Sequence, residues 1–225
     1  MNNTPDIIKT FIEQLDLSLT IESYSNDSTN TTIIVDNPLY ARSKLILTVD
    51  AAPLEVISVT DNSIVVPGIL TPVVVILQPM FYYNESYIDF NNLLGTIASS
   101  RGKMPFVLLR DPIIETYNNK PTSAIDYTAE VNLLILDDSD FTRYTEGEDF
   151  YNNVINRIRS FVKLILDSAK LYPVFGNIDT YRIRDYKKFG EYVQSKGTVS
   201  YFFDENLSGV QLTITLPILK NLNCN

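Results

Sequence analysis

The sequence predicts an α+β protein in two parts. A small β-sandwich-like module lies within residues 1–80, and a mixed or antiparallel sheet packed by a long helix lies within residues 81–225. Apolar residues recur at a period of two through Leu17–Leu77, the pattern of half-buried strands. The character of the chain changes around Pro79–Glu85. An apolar stripe with helical spacing then runs through Glu146–Leu171, which completes the two-part division.

A short helix is predicted ahead of the β module, over Asp6–Leu15. Thr4 and Pro5 precede it as a cap and a first-turn proline, because proline lacks the N–H that the first turn leaves unpaired. The apolar residues of the segment share one stripe at helical spacing: Ile7, Ile8, Phe11, Ile12 and Leu15. The predicted N-terminal domain, residues 1–80, is therefore a short helix plus a β module.

The β module is predicted from short alternating segments separated by turn-forming residues such as Asp61-Asn62 and Pro67-Gly68. Several short strands at close, regular spacing are typical of a small sandwich or barrel-like fold. The predicted strands are Leu17–Ser23, Thr31–Val35, Lys44–Val49, Leu54–Thr60, Ser63–Val66 and Pro72–Leu77.

The first half of the C-terminal domain is predicted as helix, strand, loop and strand. Tyr87–Ala98 is an amphipathic helix, Met104–Leu109 a dense apolar strand and Tyr127–Leu136 a second strand. The polar segment Asp111–Asp126 between the two strands is long for a simple turn. We therefore expect a protruding loop or a β-arm there.

The long helix over Glu146–Leu171 is the strongest local prediction. Thr145 and Glu148 have the spacing of a capping box, and Pro173 bars continuation of the helix. Its apolar face comprises Phe150, Val154, Ile158, Phe161, Val162, Ile165, Leu166 and Ala169. The predicted strands after it are Thr180–Tyr186, Thr198–Phe203 and Val210–Leu216, with Glu205–Gly209 joining the last two as a hairpin.

The chain is acidic, with 225 residues and a formal charge of −9. General binding to a nucleic-acid backbone is disfavoured, because it needs clustered lysine and arginine. We predict no sequence-specific binding to nucleic acid. Small basic groups can still line a local surface: Arg157 with Arg159, and Arg182 with Arg184, Lys187 and Lys188.

The absence of histidine and the single cysteine, Cys224, exclude several kinds of chemistry. A thiol nucleophile paired with histidine and a zinc site built mainly from histidine and cysteine are both ruled out. No intrachain disulfide can form, which fits synthesis in a reducing cytoplasm. Met1–Asp16 lacks the pattern of a signal peptide, and the most apolar stretch, Ile69–Leu77, is far below the roughly 20 residues of a membrane span. We expect a soluble chain made in the cytoplasm.

Asp137, Asp138 and Asp140 are the one serious candidate for metal binding, since carboxylates after an apolar strand can collect Mg²⁺ or Ca²⁺. No glycine-bearing calcium loop follows them. We favour a solvated acidic loop that leads to the next helix.

Two further patterns have a structural explanation. Glu146, Glu148 and Asp149 can be interpreted as a general acid/base cluster, but capping of the long helix explains their position. Ser99–Lys103 resembles a phosphate-binding segment in its residues, but it follows a predicted helix. The C-terminus of a helix carries the negative end of the dipole, which disfavours an anion. The sequence therefore predicts no catalytic, cofactor-binding or metal-binding residues and a protein that is not an enzyme.

Two aromatic segments, Phe81-Tyr82-Tyr83 and Tyr201-Phe202-Phe203, have two interpretations. Exposed aromatic rings can stack on sugars or bases. Aromatic strand residues also fill cores and subunit contacts. We favour the second interpretation.

The order of elements from Tyr87 onward resembles the tail-terminator and tail-completion proteins of tailed bacteriophages. The matching pieces are the strand Lys103–Leu109, the arm Asp111–Asp126, the strand Tyr127–Leu136, the helix Glu146–Leu171 and the hairpin through Gly209. The Asn-, Ile- and Tyr-rich composition is similar to neck proteins of phages that infect Bacteroidetes, including crAss-like phages. The resemblance covers roughly residues 85–225, and the small members of that family lack the β module at about 17–80.

This resemblance implies a structural virion protein that forms a homo-oligomeric ring at the head–tail junction. Its expected partners are further copies of itself and other neck, portal or tail proteins, with DNA passing through the ring. Two alternatives stay open. The β module can serve to recognise a glycan or a host-surface protein, and Asp137, Asp138 and Asp140 can serve a metal-dependent enzyme.

Overall fold

The computed structural model describes residues 3–84, 86–96, 105–118, 120, 122–143, 146–194, 198–204 and 206–220. The predicted α+β class is confirmed, because these residues form both helices and several separate sheets. One compact unit comprises Asp16–Met80, and the other comprises the residues up to Leu15 together with those from Phe81 onward.

The first unit, the β module, contains two four-stranded sheets in the orders β1-β8-β4-β5 and β2-β3-β7-β6. All of their pairings are antiparallel. Each sheet buries one face in alternation, with Leu47 and Val75 on one sheet and Ile33 and Ile64 on the other. The strands are β1 (Ser18–Leu19), β2 (Ile21–Asn26), β3 (Asn30–Val35), β4 (Ile46–Val49), β5 (Ala52–Glu55), β6 (Ser58–Val59), β7 (Ser63–Pro67) and β8 (Val75–Leu77).

The second unit is built on a five-stranded sheet in the order β12-β15-β11-β10-β9. The sheet is mixed, because β9 pairs in parallel with β10 and the other pairs are antiparallel. The elements are α1 (Thr4–Glu13), β9 (Phe81–Tyr83), α2 (Tyr87–Thr96), β10 (Phe106–Tyr117), β11 (Ile125–Asp138), α3 (Gly147–Phe150), α4 (Asn156–Ala169), β12 (Tyr181–Phe189), β13 (Glu191–Val193), β14 (Val199–Tyr201) and β15 (Leu207–Leu219).

The long helix packs on one face of this sheet, as predicted. It consists of α3, a π-helical segment over Tyr151–Ile155 and α4. Helix α4 packs against β11 and β15 and buries Ile158, Phe161 and Ile165. The N-cap is Glu146, whose side chain makes no capping hydrogen bond, and Thr145 of the predicted capping box lies outside the described residues.

The opposite face of the sheet is covered at one end by α2. Phe90 and Leu94 of α2 join a buried cluster with Phe106, Leu108 and neighbouring strand residues. Phe90 lies 4.6 Å from Phe106 between ring centroids, a distance typical of favourable aromatic pairs. The predicted end of this helix, the segment Ser99–Lys103 and Met104 lie outside the described residues.

The N-terminal helix belongs to the second unit, whereas the sequence grouped it with the β module. The Thr4 hydroxyl donates to the Glu115 carboxylate and shares a 3.1 Å hydrogen bond with Tyr127. Phe11 packs against the rings of Tyr172 and Phe175. The helix therefore buries its apolar stripe on residues far along the chain, which spacing alone did not reveal.

The predicted loop or β-arm over Asp111–Asp126 is mostly strand. Strand β10 continues to Tyr117 past a register shift between Arg110 and Ile114, and β11 begins at Ile125. Because β15 pairs with β11 as far as Ile125, the segment extends the main sheet and is not a separate arm.

The predicted hairpin through Glu205–Gly209 is wrong. Strand β14 pairs with β13, while β15 lies between β11 and β12. Leu207, Val210 and Leu212 of β15 are fully buried, so this strand gains more by pairing on both sides in the centre of the sheet. Gly190, at a φ of 82°, allows the chain to turn from β12 into β13.

Gly209 marks the closest approach of β15 to β11, and its substitution tests that packing. A Cβ at this position would lie 2.1 Å from the Ile135 carbonyl oxygen. We expect Gly209→Ala to lower the free energy of unfolding by about 2 kcal/mol or more, measured by urea denaturation. Gly95→Ala is the control, since a Cβ there meets nothing within 4 Å. It should stabilise helix α2 by up to about 1 kcal/mol, and equal effects of the two variants would contradict this packing.

The β4–β5 turn provides a second stability test. Asp50 and Ala51 occupy it with φ values of 48° and 71°, a left-handed conformation that costs a residue with a Cβ about 1–2 kcal/mol. We expect Ala51→Gly to raise the melting temperature, through a net gain of about 0.5–1 kcal/mol. Ala52→Gly, one residue later within β5, should lower it. A loss of stability in both variants would show that Ala51 is not strained.

Candidate functional site

Helix α2 covers only one end of its face of the five-stranded sheet. The uncovered end carries a polar surface, made of three rows of residues that pair across neighbouring strands. The row Phe106–Leu136–Gly209–Tyr186 is apolar apart from its last member. The next row, Leu108–Leu134–Gln211–Arg184, is half polar, and the third, Arg110–Asn132–Thr213–Arg182, is polar throughout. We call the six residues Arg110, Asn132, Arg182, Arg184, Gln211 and Thr213 the polar sheet face.

Hydrogen bonds fix the orientation of the amides at the centre of this face. The Tyr186 hydroxyl donates to Gln211 Oε1 at 2.8 Å, and Gln211 Nε2 donates to Asn132 Oδ1 at 3.0 Å. The Thr213 hydroxyl also donates to Asn132 Oδ1, at 2.6 Å. Both amide oxygens are thus occupied within the protein. The Asn132 side-chain nitrogen, Nδ2, remains as the donor at the end of this chain of hydrogen bonds. The centre of the face therefore offers N–H groups to a ligand.

Three exposed guanidinium groups flank the amides. Arg110 and Arg182 end the fully polar row, and Arg184 lies two residues after Arg182 on β12. None of the three forms an ion pair with a carboxylate among the described residues. Arg110 lies over the Tyr87 ring at 5.3 Å and Arg184 over the Tyr186 ring at 5.1 Å. Cation–π contacts of this kind hold the guanidinium groups in place but leave their charge uncompensated.

The charge of this face is positive at neutral pH. Burial is the main cause that raises the pKa of Tyr87, against a smaller lowering effect of Arg110, so Tyr87 stays neutral. Glu130, paired with Ile114 and Thr215 beyond the last row, is an acidic residue on the same side of the sheet. A face of hydrogen-bond donors with three arginines can bind carboxylate or phosphate oxygens.

Sequence reasoning found this surface only in part. It singled out Arg182 and Arg184 as a basic group but missed Arg110, Asn132 and Gln211. Alternation of polar and apolar residues in β11 and β15 shows that each strand has a polar side. Only the register of four strands places those sides in one row, and the register is not written in the sequence.

Asp137, Asp138 and Asp140, the predicted candidates for metal binding, lie at the end of β11 and in the turn that follows it. The Asp140 carboxylate accepts hydrogen bonds from the Thr142 hydroxyl at 2.6 Å and from the Arg143 N–H at 3.0 Å. Its pKa is lowered chiefly by the Thr142 bond. Asp137 is buried and accepts from the Asp138 N–H. Within the part of the chain that the structure describes, no three acidic side chains are grouped so that they could hold a metal. Asp140 shapes a turn, as the favoured interpretation predicts. Asp137 and Asp138 belong to β11 and Asp137 is buried, so the solvated loop predicted for these two residues is wrong.

The remaining residues that the sequence singled out include two carboxylates of the long helix, the single cysteine and the second aromatic segment. Glu148 and Asp149 lie in the first turn of α3, where carboxylates favour the helix dipole. Cys224 lies outside the described residues. Phe203 is buried in the cluster beneath α2, while Phe202 is 63% exposed and stacks on Tyr192. The second aromatic segment is therefore divided between the core and the surface.

An ion pair with a largely buried carboxylate joins the long helix to β12. Asp185, whose side chain is 10% exposed, accepts from Arg159 Nε at 3.0 Å and from Arg159 Nη2 at 2.8 Å. The Tyr151 hydroxyl donates to the same carboxylate at 3.0 Å. That bond is the main cause that raises the pKa of Tyr151. An activated tyrosine nucleophile needs a lowered pKa, so this triad is suited to holding structure and not to nucleophilic attack.

The triad is testable through Arg159. We expect Arg159→Ala to lower the free energy of unfolding by about 1–2 kcal/mol, because it leaves the Asp185 carboxylate without its charged donor. Lys170→Ala on the same helix is the control. Its ion pair with Asp167 is more than half exposed on both sides, so the change should cost less than about 0.5 kcal/mol. Equal losses in urea denaturation would contradict a special role for the Asp185 pair.

Comparisons with known proteins add no relative to this picture, since no family model, curated protein or solved structure matches the chain. Among the helices of the described residues, none has the length and apolar character needed to cross a membrane. The polar sheet face and the edges of the sheet are therefore the features from which a function is inferred.

Proposed function

We propose that this chain is a non-enzymatic structural subunit of a tailed-phage virion. It forms a homo-oligomeric ring at the head–tail junction, as a neck, tail-terminator or connector protein. Its partners are other neck, portal or tail proteins, and DNA passes through the ring. Three pieces of the element order that resembles tail-terminator proteins are present, namely the two strands β10 and β11 and the long helix, and they support the phage assignment. The arm and the closing hairpin of that order are not present as predicted.

The observation that carries the ring proposal is that, among the described residues, the main sheet has an open edge on each side. Strand β12 is the last strand on one side, and it exposes 51% of Tyr181 and 36% of Ile183. On the other side β9 pairs only with Phe106–Leu108, so the rest of β10 has no described neighbour beyond it. Unpaired strand edges are templates for pairing with another chain.

Two different edges on one subunit favour a head-to-tail contact. If β12 of one copy adds to β10 of the next, the contact is heterologous and leaves both outer edges ready for further copies. A heterologous contact of this kind closes into a ring when its rotation divides a full turn. A contact between two β12 edges would instead stop at a dimer.

Edge variants test this arrangement in the purified full-length chain. We expect the unmodified chain to form one ring-shaped oligomer in mass photometry and negative-stain microscopy. Ile183→Lys on β12 and Ile114→Lys on β10 should each abolish it, because a lysine on an open edge opposes strand addition. The control is Ile88→Lys on α2, where the isoleucine is 75% exposed and does not belong to an edge strand. It should leave the ring intact.

A mixture of the two edge variants distinguishes a heterologous contact from an isologous one. Each variant retains the edge that the other has lost, so the mixture should form one mixed dimer and no ring. An unmodified chain that stays strictly monomeric and does not co-assemble with phage connector proteins would contradict the proposed function. So would rings that form equally well from both edge variants.

A second candidate function, recognition of a host surface by the β module, is favoured by one observation. The outer face of the sheet β1-β8-β4-β5 exposes Ile46, Val74 and Ile76, and the loop before it exposes Ile69 and Val73. Exposed apolar patches mark protein contacts. Their aliphatic character fits a protein partner better than a glycan, which aromatic rings bind. A monomer that binds cells saturably is the result this alternative expects.

A further inference from the structure

We infer that the polar sheet face of one copy binds exposed carboxylates on the β module of a neighbouring copy. This inference rests on the ring proposed above and names a second contact within it. It concerns the charged surfaces of the subunit, whereas the ring proposal concerns the strand edges.

The first step is the chemistry of the face. Asn132 Oδ1 and Gln211 Oε1 both accept bonds inside the protein, and so the centre of the face presents donors. Arg110, Arg182 and Arg184 add planar guanidinium groups without an acidic partner among the described residues. Such an array is matched by oxygen anions, since guanidinium groups pair with carboxylates through two parallel hydrogen bonds.

The β module carries carboxylates that match this array of donors. Between residues 16 and 80 the chain has seven acidic residues and only two basic ones, Arg42 and Lys44. All seven acidic residues are exposed: Asp16, Glu22, Asp27, Asp36, Asp50, Glu55 and Asp61. Hydrogen bonds from Ser18 to Asp16, and from Thr29 and Asn30 to Asp27, lower the pKa of these two carboxyl groups and favour their charged form. With seven acidic and two basic residues, the β module carries a net charge of −5.

A second copy of the chain is a better source of these anions than a nucleic acid. A nucleic-acid backbone offers the same anionic chemistry, but the chain has 27 acidic and 18 basic residues and repels a polyanion as a whole. A second copy brings the carboxylates at the local density of a folded surface. It also brings an arginine face of its own for the next subunit, so the same contact repeats around a ring.

Neutral variants of the full-length chain test the role of the arginines. We expect Arg110→Gln, Arg182→Gln and Arg184→Gln together to weaken assembly by about tenfold or more in mass photometry. Lys9→Gln, Lys163→Gln and Lys170→Gln together are the matched control, because they remove the same charge from exposed positions on α1 and α4. Rising salt should weaken the unmodified ring, since the Debye length falls from about 10 Å at 0.1 M to about 3 Å at 1 M.

Cross-linking identifies the partner surface. Arg182→Lys and Arg184→Lys keep the charge and supply amines that a carbodiimide couples to carboxylates. The reaction forms an amide between lysine Nζ and a carboxyl carbon and converts the carbodiimide to a urea. In rings mixed from ¹⁴N- and ¹⁵N-labelled copies of this double variant, we expect linked peptides that join position 182 or 184 to residues 16–80 of a differently labelled copy.

Each result decides between defined interpretations. Rings unaffected by the three glutamines would overturn this inference and leave the ring proposal standing. Cross-links confined to acidic residues of 81–225, or to the same copy, would overturn the assigned partner surface. Binding of a fluorescent DNA duplex that the glutamine variant loses, with assembly unchanged, would assign the face to nucleic acid. A monomeric unmodified chain would overturn the ring proposal and this inference together.

Discussion

Strands β11 and β15 pair in one continuous register from Tyr127 with Ile218 to Asp138 with Leu207, and the rest of the second unit is arranged around that pairing. The long helix packs on one side of the two strands, and α2 covers one end of the other side. Gly209 allows the strands to come close where Leu136 is buried. The same register brings Asn132, Gln211 and Thr213 together, so the polar sheet face is a consequence of the pairing that makes the core.

The elements that could be predicted from the sequence are those set by local periodicity. The long helix and most strands of the β module were predicted close to their observed positions, because their apolar residues repeat over several turns or residues. The closing hairpin was mispredicted because a turn-forming segment such as Glu205–Gly209 does not say which strands it joins. The N-terminal helix was predicted, but its partners Tyr172 and Phe175 lie far along the chain and leave no local signal.

The candidate site could be predicted from the sequence even less completely than the fold. Arg182 and Arg184 were visible as a basic pair, and their alternation with Ile183 is a strand pattern. Their significance depends on Arg110, which reaches the same row only through two intervening strands. Neither composition nor spacing contains that relation. A net charge of −9 even argues against an anion-binding surface, because a sum over the chain conceals how unevenly the charges are distributed.

The triad of Tyr151, Arg159 and Asp185 gives the open edge a property that the proposed assembly requires. Strand β12 has a neighbour on one side only, and an edge strand that frays must be ordered at the moment of association, at a cost to affinity. On a regular α-helix, two side chains eight residues apart point in directions that differ by about 80°. The π-helical segment over Tyr151–Ile155 adds about one residue to a turn and so removes most of this difference. Tyr151 and Arg159 are then about two turns apart and both reach Asp185. The helix thereby holds the edge strand in place for the strand addition proposed above. Arg182 and Arg184 of the polar sheet face lie on the same strand and alternate with Ile183 and Asp185.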